Sequence, residues 1–321
     1  MNRLHIIMYH YVREIKNSKY SEIKGLEYKL FLEQLEFLQK EFQFVRMEDV
    51  IETVSGRASL PERAVLLTFD DGYKDHYEFV YPELRRRGIS GAFFMPARVM
   101  KESTVLDVNK IHFILATREI EELVSEIFRK LDEARKNGIE ILSNEELYRK
   151  LAVANRWDSA ETIFVKRLFQ NELPENFRNK LVADLFEESV GVGEGEFSKQ
   201  LYLSEKEALD MKKDGMYFGL HGYEHYWLGK LSEEKQREDI SKSLAYVNKI
   251  GLVPKEKWVM NYPYGSYSDK TIEIARSLGA VAGLGVTAKT ADLAVDNVMA
   301  LPRYDTNDFP PKSTNYRKCI E

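Results

Sequence analysis

Short apolar runs recur along this chain, and stretches with helical spacing separate them. Leu4–Tyr9, Val65–Phe69, Gly91–Met95, Tyr217–Leu220, Trp258–Met260 and Ala280–Leu284 read as strands. Between them, Phe31, Leu35, Leu38 and Phe42 share one helical face, and Tyr77, Tyr81 and Leu84 share another. Glu233–Ile250 and Ser268–Leu278 read as further helices. Strands alternating with helices imply a parallel sheet. No Gly-rich phosphate turn accompanies these units. The pattern therefore points to a closed or nearly closed barrel, not an open dinucleotide fold.

One segment breaks the alternation. From about Lys101 to Leu203 no strand pattern occurs. Ile120, Leu123, Val124, Ile127, Phe128 and Leu131 follow the spacing of an amphipathic helix. Further helices are expected around Asn144–Ala154, Ser159–Gln170 and Glu175–Ser189, and Gly191, Gly193 and Gly195 mark a flexible exit. The expected organisation is a barrel formed by residues 1–100 and 204–321, with an all-helical insertion at 101–203. The insertion is expected to serve as a lid or a homo-oligomer contact. His112, between Ile111 and Phe113, reads as a packed helix residue, not a ligand.

Charge and cysteine content narrow the function classes. Lys plus Arg is 47 and Asp plus Glu is 52, for a net charge of −5. A nucleic-acid partner is not expected, because phosphate binding needs a basic excess. The single cysteine, Cys319, allows no intrachain disulfide and no CxxC metal knuckle. The start, MNRLHIIMYHYV, reads as neither a signal peptide nor a transmembrane span, so the cytoplasm is the expected compartment.

The chemistry concentrates at strand ends. Residues 66–72 read Leu-Leu-Thr-Phe-Asp-Asp-Gly, an apolar run stopped by two carboxylates and a glycine. Neighbouring side chains on a strand diverge, but a tight turn can bring Asp70 and Asp71 to one site. Adjacent carboxylates suit a divided task, one holding a metal and the other moving a proton. The plainer reading is a strand-ending Asp-Gly turn.

His221 and His225 follow the strand Tyr217–Leu220 at four-residue spacing. On a helical turn that spacing puts both imidazoles on one face. With one aspartate they make a two-His, one-carboxylate set with positions open for water and substrate. Glu224 completes an H-x-x-E-H order like that of inverted zincins, but Gly222 and the preceding strand disfavour a zincin helix. Asn261-Tyr-Pro-Tyr-Gly265 follows another strand, and backbone N–H groups in such a turn can polarise an oxyanion. His10 ends the first strand and has the right chemistry to protonate a leaving amine near neutral pH. In a barrel all these strand ends converge.

These residues resemble the polysaccharide deacetylase family, carbohydrate esterase family 4 or the NodB homology domain. The matching motifs are Thr68-Phe-Asp-Asp-Gly72, Gly91-Ala-Phe-Phe94, His221-x-x-x-His225 and Tyr262-Pro-Tyr-Gly265. The resemblance implies a distorted (β/α)7 barrel, with Asp71, His221 and His225 as metal ligands. It also implies Asp70 as catalytic base and the Tyr264 turn as oxyanion donor. Two departures stand out. Asn261 occupies a position where the family commonly carries an Arg orienting the base, and no His follows His225 to supply the C-terminal Leu-x-His acid. Met8-Tyr-His10 resembles the poly-β-1,6-N-acetylglucosamine deacetylase branch, where the acid motif is permuted to the N-terminus, which would make His10 the acid. Arg303 in Leu301-Pro-Arg303 would then pair with Asp70 in place of the lost arginine.

The expected activity is metal-dependent removal of an N-acetyl group from an amino sugar of a saccharide or surface-polysaccharide precursor. Zinc is the expected ion, with cobalt, nickel, manganese and iron compatible with the same donors. The alternatives are hydrolysis of another C–N amide, such as a formamide or cyclic amide, and a non-catalytic carbohydrate-binding barrel.

Overall fold

The structure is a computed structural model, and it describes residues 2–154 and 158–318; Cys319 lies outside them. Two compact units emerge. One comprises Met1–Glu14, Gly25–Thr104 and Ser198–Glu321, and the other Ile15–Lys24 and Val105–Phe197. The barrel unit therefore extends a few residues past the expected limits, and Ile15–Lys24 groups with the helical unit.

The barrel unit is a curled parallel sheet. Its strands are β1 (Arg3–Tyr9), β2 (Ala64–Phe69), β3 (Gly91–Met95), β4 (Tyr217–Leu220), β5 (Trp258–Asn261) and β6 (Ala280–Leu284). Each pairs in parallel with the next. Every residue of β2 and β3 is buried, as expected for parallel strands covered on both faces. A short β7 (Tyr304–Asp305) pairs with β1 through Ile7 and Tyr304, while Leu301 bridges Leu284 of β6. The stretch 301–305 thus bonds to both edges of the sheet, which makes the fold a distorted (β/α)7 barrel. Arg303 sits inside that closing stretch.

Helices cover the sheet where the apolar spacing allows. In α1 (Tyr28–Glu41), Phe31, Leu35 and Leu38 are buried along one face. A later helix, Glu233–Lys249, starts at Ser232, whose side chain accepts from the Lys235 N–H. Ser268 and Thr271 form a capping box at the start of the helix Asp269–Ser277. These polar caps satisfy N–H groups that helix ends leave without intrahelical partners.

The other unit contains no strand among its described residues and is built mainly of helices, with Ile15–Lys24 as irregular turns. Its elements include Asp107–Thr117, Ile120–Lys136, Asn144–Leu151, Ala160–Arg167 and Glu175–Val190. Leu123, Ile127 and Leu131 form the buried stripe of the second. The glycine-marked stretch expected to be a flexible exit contains a helix, Glu194–Leu201. Gly191 ends the preceding helix at φ +74°, a backbone state that suits glycine. His112 is half-buried and lines an open pocket of about 370 Å3 with Lys24, Arg118 and Lys166. Among the described residues no helix is long and apolar enough to cross a membrane.

Candidate active site

Asp70 and Asp71 follow β2 directly, where the backbone turns sharply. Asp71 has φ +69° and Gly72 φ +67°. The left-handed state costs a non-glycine residue roughly 1–2 kcal/mol. It lets the two carboxylates serve one site. Gly72 has no room for a side chain, since a Cβ there would lie 2.5 Å from Met95 Cβ.

His221 and His225 come from the loop after β4. That loop is not helical, which corrects the expectation of a shared helical face. Gly222 has φ +72° and His225 φ +60°, and these two left-handed residues fold the loop back on itself. A zincin helix is therefore absent, and Glu224 is tied up in an ion pair with Arg98 at 2.6 Å. Tyr264, at φ +58°, is the third site residue with this backbone state. Strained non-glycine residues of this kind cluster at functional sites.

The geometry brings Asp71, His221 and His225 together. Asp71 Oδ1 lies 3.3 Å from His221 Nε2 and 3.2 Å from His225 Nε2, and the two Nε2 atoms are 3.2 Å apart. His221 Nδ1 is 2.8 Å from the Asn261 carbonyl, which accepts its proton and leaves Nε2 with a lone pair. Among the described residues Asp71 Oδ1 is buried with no hydrogen-bond partner, while Oδ2 accepts from the Tyr73 hydroxyl at 2.6 Å. With both Nε2 atoms unprotonated, three lone pairs converge in this buried site, an arrangement that a cation stabilises. Zinc bonds nitrogen and oxygen at roughly 2.0–2.2 Å, so a tetrahedron around it has edges of about 3.3–3.6 Å. The observed triangle matches the short end of that range, and the residues fit a divalent ion.

Asp70 is held differently. Arg303 Nη1 and Nη2 donate to its two oxygens, each at 2.8 Å. The same guanidinium donates to Thr68 Oγ1 at 3.1 Å, Asn261 Oδ1 at 2.9 Å and the Gly285 carbonyl at 2.8 Å. All five Arg303 donors are engaged, and the side chain is 1% exposed. Burial pushes the Asp70 carboxyl up, but the facing Arg303 outweighs it and holds Asp70 at about 2. Burial likewise opposes ionisation of Asp71, and the adjacent His225 and His221 hold it well below the usual range. Burial pushes His225 down, against the pull of Asp71.

His10 lies at the rim, 42% exposed, with Nε2 3.9 Å from Asp70 Oδ2. Its carbonyl accepts from the buried His76 Nε2 at 2.9 Å. Tyr264 packs its ring on His225 at 4.6 Å and stacks on Trp227 at 4.6 Å. Thr68 opens the Thr68–Gly72 motif with no role assigned to it by sequence, and Tyr73 and His76 lie outside every motif. Tyr73 directly follows Gly72, which was the one sequence hint. His76 reaches the site only through the fold, at the His10 carbonyl.

Among curated proteins none matches this chain in sequence. Solved structures do. A Streptococcus pyogenes deacetylase, PplD, in complex with acetate is similar at 18% identity and TM-score 0.61, covering 99% of this chain and 98% of that one. A de-N-acetylase from Aggregatibacter actinomycetemcomitans is similar at 16% identity and TM-score 0.58, covering 98% and 99%. IcaB from Ammonifex degensii is similar at 19% identity and TM-score 0.56, covering 97% and 95%. At these identities the likeness is one of fold. The sequence profile described as polysaccharide deacetylase matches residues 57–143 and 181–283, a range that contains Asp70, Asp71, His221, His225 and Tyr264 but neither His10 nor Arg303. With more than half of its length matched in this way, the chain belongs to the polysaccharide deacetylase family.

Proposed function

We propose that this chain hydrolyses the N-acetyl group of an amino sugar, using a divalent ion held by Asp71, His221 and His225. The observation that carries this reading is the triangle of donor atoms 3.2–3.3 Å apart, with the carboxylate of Asp70 beside it. Zinc is the proposed ion. When bound, it supplies Lewis acidity and makes a nearby water easier to deprotonate.

The chain's own groups divide the remaining work. Asp70 removes a proton from the attacking water. Arg303 keeps that carboxylate ionised and fixes its plane through two parallel bonds. The backbone N–H of Tyr264 is the proposed donor to the oxyanion that develops on the amide. His10 donates a proton to the departing amine. The acid's position directly after the first strand favours a β-1,6-linked N-acetylglucosamine saccharide or its precursor, by resemblance to the branch with a permuted acid motif.

Zinc-loaded protein should release acetate from N-acetylglucosamine oligosaccharides, and a chelator should stop the release. Asp71→Ala with full ion occupancy and turnover would overturn the site. Formate release from formamides without acetate release would redirect the chemistry to another C–N amide. Glycan binding without turnover, at any ion concentration, would favour a binding barrel.

A further inference from the structure

The loop carrying His221 and His225 has no regular structure of its own, yet its internal backbone groups are bonded from outside. The Gly222 carbonyl accepts from Ala97 N at 3.1 Å and from Ser243 Oγ at 3.0 Å, and the Tyr223 carbonyl accepts from Arg98 N at 3.2 Å. The Tyr223 and Glu224 N–H groups donate to Asp239 Oδ2 and Oδ1, each at 2.9 Å. Asp239 and Ser243 lie one turn apart on the helix Glu233–Lys249, and both are buried. A Cβ on Gly222 would sit 2.8 Å from Asp239 Oδ2, so the carboxylate presses directly against the loop's tightest point.

We propose that Asp239 is a positioning residue for the metal centre, one that holds the His221–His225 loop in its ligand-presenting conformation. The proposal rests on the metal reading above. Its physical basis is that Asp239 bonds two consecutive N–H groups lying between the two ligands. A carboxylate accepting from two backbone N–H groups forms charge-assisted bonds, stronger than neutral ones. Those bonds offset the left-handed strain at His225 and keep both Nε2 atoms aimed at Asp71. The side chains of the loop are pinned as well. Glu224 pairs with Arg98 at 2.6 Å, and Lys242 lies 3.7 Å from the Tyr223 ring centroid. Without Asp239 the loop's two N–H groups lose their acceptors and the ligand spacing loosens.

The test is titration of Co2+ and Zn2+ into metal-free protein, alongside thermal unfolding of the same metal-free samples. Partners that orient metal ligands typically change affinity by roughly 10–100-fold. Asp239→Asn should weaken both ions by about that factor and shift the visible Co2+ bands, with the metal-free melting temperature near that of wild type. Ser243→Ala should weaken binding several-fold, and Glu238→Gln, an exposed neighbour, should bind as wild type. A folded Asp239→Asn variant with wild-type affinity and an unchanged Co2+ spectrum would overturn the proposal. If Asp239→Asn does not fold, unchanged affinity in Ser243→Ala overturns it and weakened affinity supports it. A wild-type chain that takes up neither ion would instead overturn the metal reading, and this proposal with it.

Discussion

Arg303 donates to both carboxylate oxygens of Asp70, at 2.8 Å each, across a separation of 233 residues. This pair sets the charge state of the proposed base. Replacing Arg303 with Met removes the cation and leaves burial as the dominant influence, which raises a carboxyl pKa. The acid limb of the pH–rate profile should therefore move upward in pH. Turnover at neutral pH should fall by roughly 100-fold or more, in the range lost when a proton-transfer group is misplaced. Stability should drop by about 3–5 kcal/mol, because one partner of a buried ion pair is left alone. Kinetics from pH 4 to 8 check this, and an unmoved acid limb would remove Asp70 from the base role.

A second arginine position offers a compensation test. Asn261 Oδ1 lies 2.9 Å from Arg303 Nη2, so residue 261 borders the pocket that the guanidinium fills. Asn261→Arg alone would force two guanidinium groups against one buried carboxylate and should be nearly inactive. Combined with Arg303→Met, the same change should recover part of the activity, at least about 10-fold over Arg303→Met. Steady-state rates for the four proteins decide it. A double variant no better than Arg303→Met would mean that position 261 cannot serve Asp70.

His10 stands in a different relation to Asp70, 3.9 Å away and 42% exposed. Its loss should leave folding and ion content intact. His10→Ala should slow amide hydrolysis by roughly 100–10,000-fold, the usual contribution of a positioned acid. An activated ester has a leaving group that needs no proton, so its hydrolysis should fall far less. The ratio of amide to ester rates is the measurement. Equal losses on both substrates would count against a general acid.

What was legible in the sequence follows from how local each signal is. Strand ends announce themselves through apolar runs, so Asp70, Asp71, His221 and Tyr264 were readable as neighbours on one rim. The helical unit was visible as an absence of strands, though its limits shifted. Ile15–Lys24 lies far in sequence from residues 105–197, and no periodic pattern ties such segments together. The loop between the histidines is not the helical turn that their spacing suggests. A spacing of four is compatible with a helix, and left-handed backbone at His225 has no sequence signature. Arg303 follows a strand-like run, but its five hydrogen bonds depend on barrel closure at Leu301 and Tyr304. Asp239 was invisible because it acts on backbone N–H groups, whose donors are the same for nearly any sequence.

The two buried neutral histidines should make acid destabilise the fold. Burial lowers His76 from 6.5 to about 4, where it lies among Phe69, Tyr73 and Phe93. Burial also lowers His5 from 6.5 to about 4, against Phe42 and Tyr304. In the unfolded chain both titrate near 6.5, so between pH 6.5 and 4 the unfolded state binds more protons. Stability therefore falls as pH falls through that window, by at most about 1.4 kcal/mol per pH unit for each histidine. Asp75 and Asp239, raised by burial, work against this loss, whereas Asp70 does not. Its lowered pKa contributes stability above 3.8 that disappears only as pH drops towards about 2. His225 is lowered too, so the informative quantity is a difference between proteins. Urea unfolding at pH 7, 6, 5 and 4.5 should show a decline, and His76→Gln should make it shallower by about one proton's worth of slope. Parallel curves for the two proteins would mean that His76 is not kept neutral by the fold.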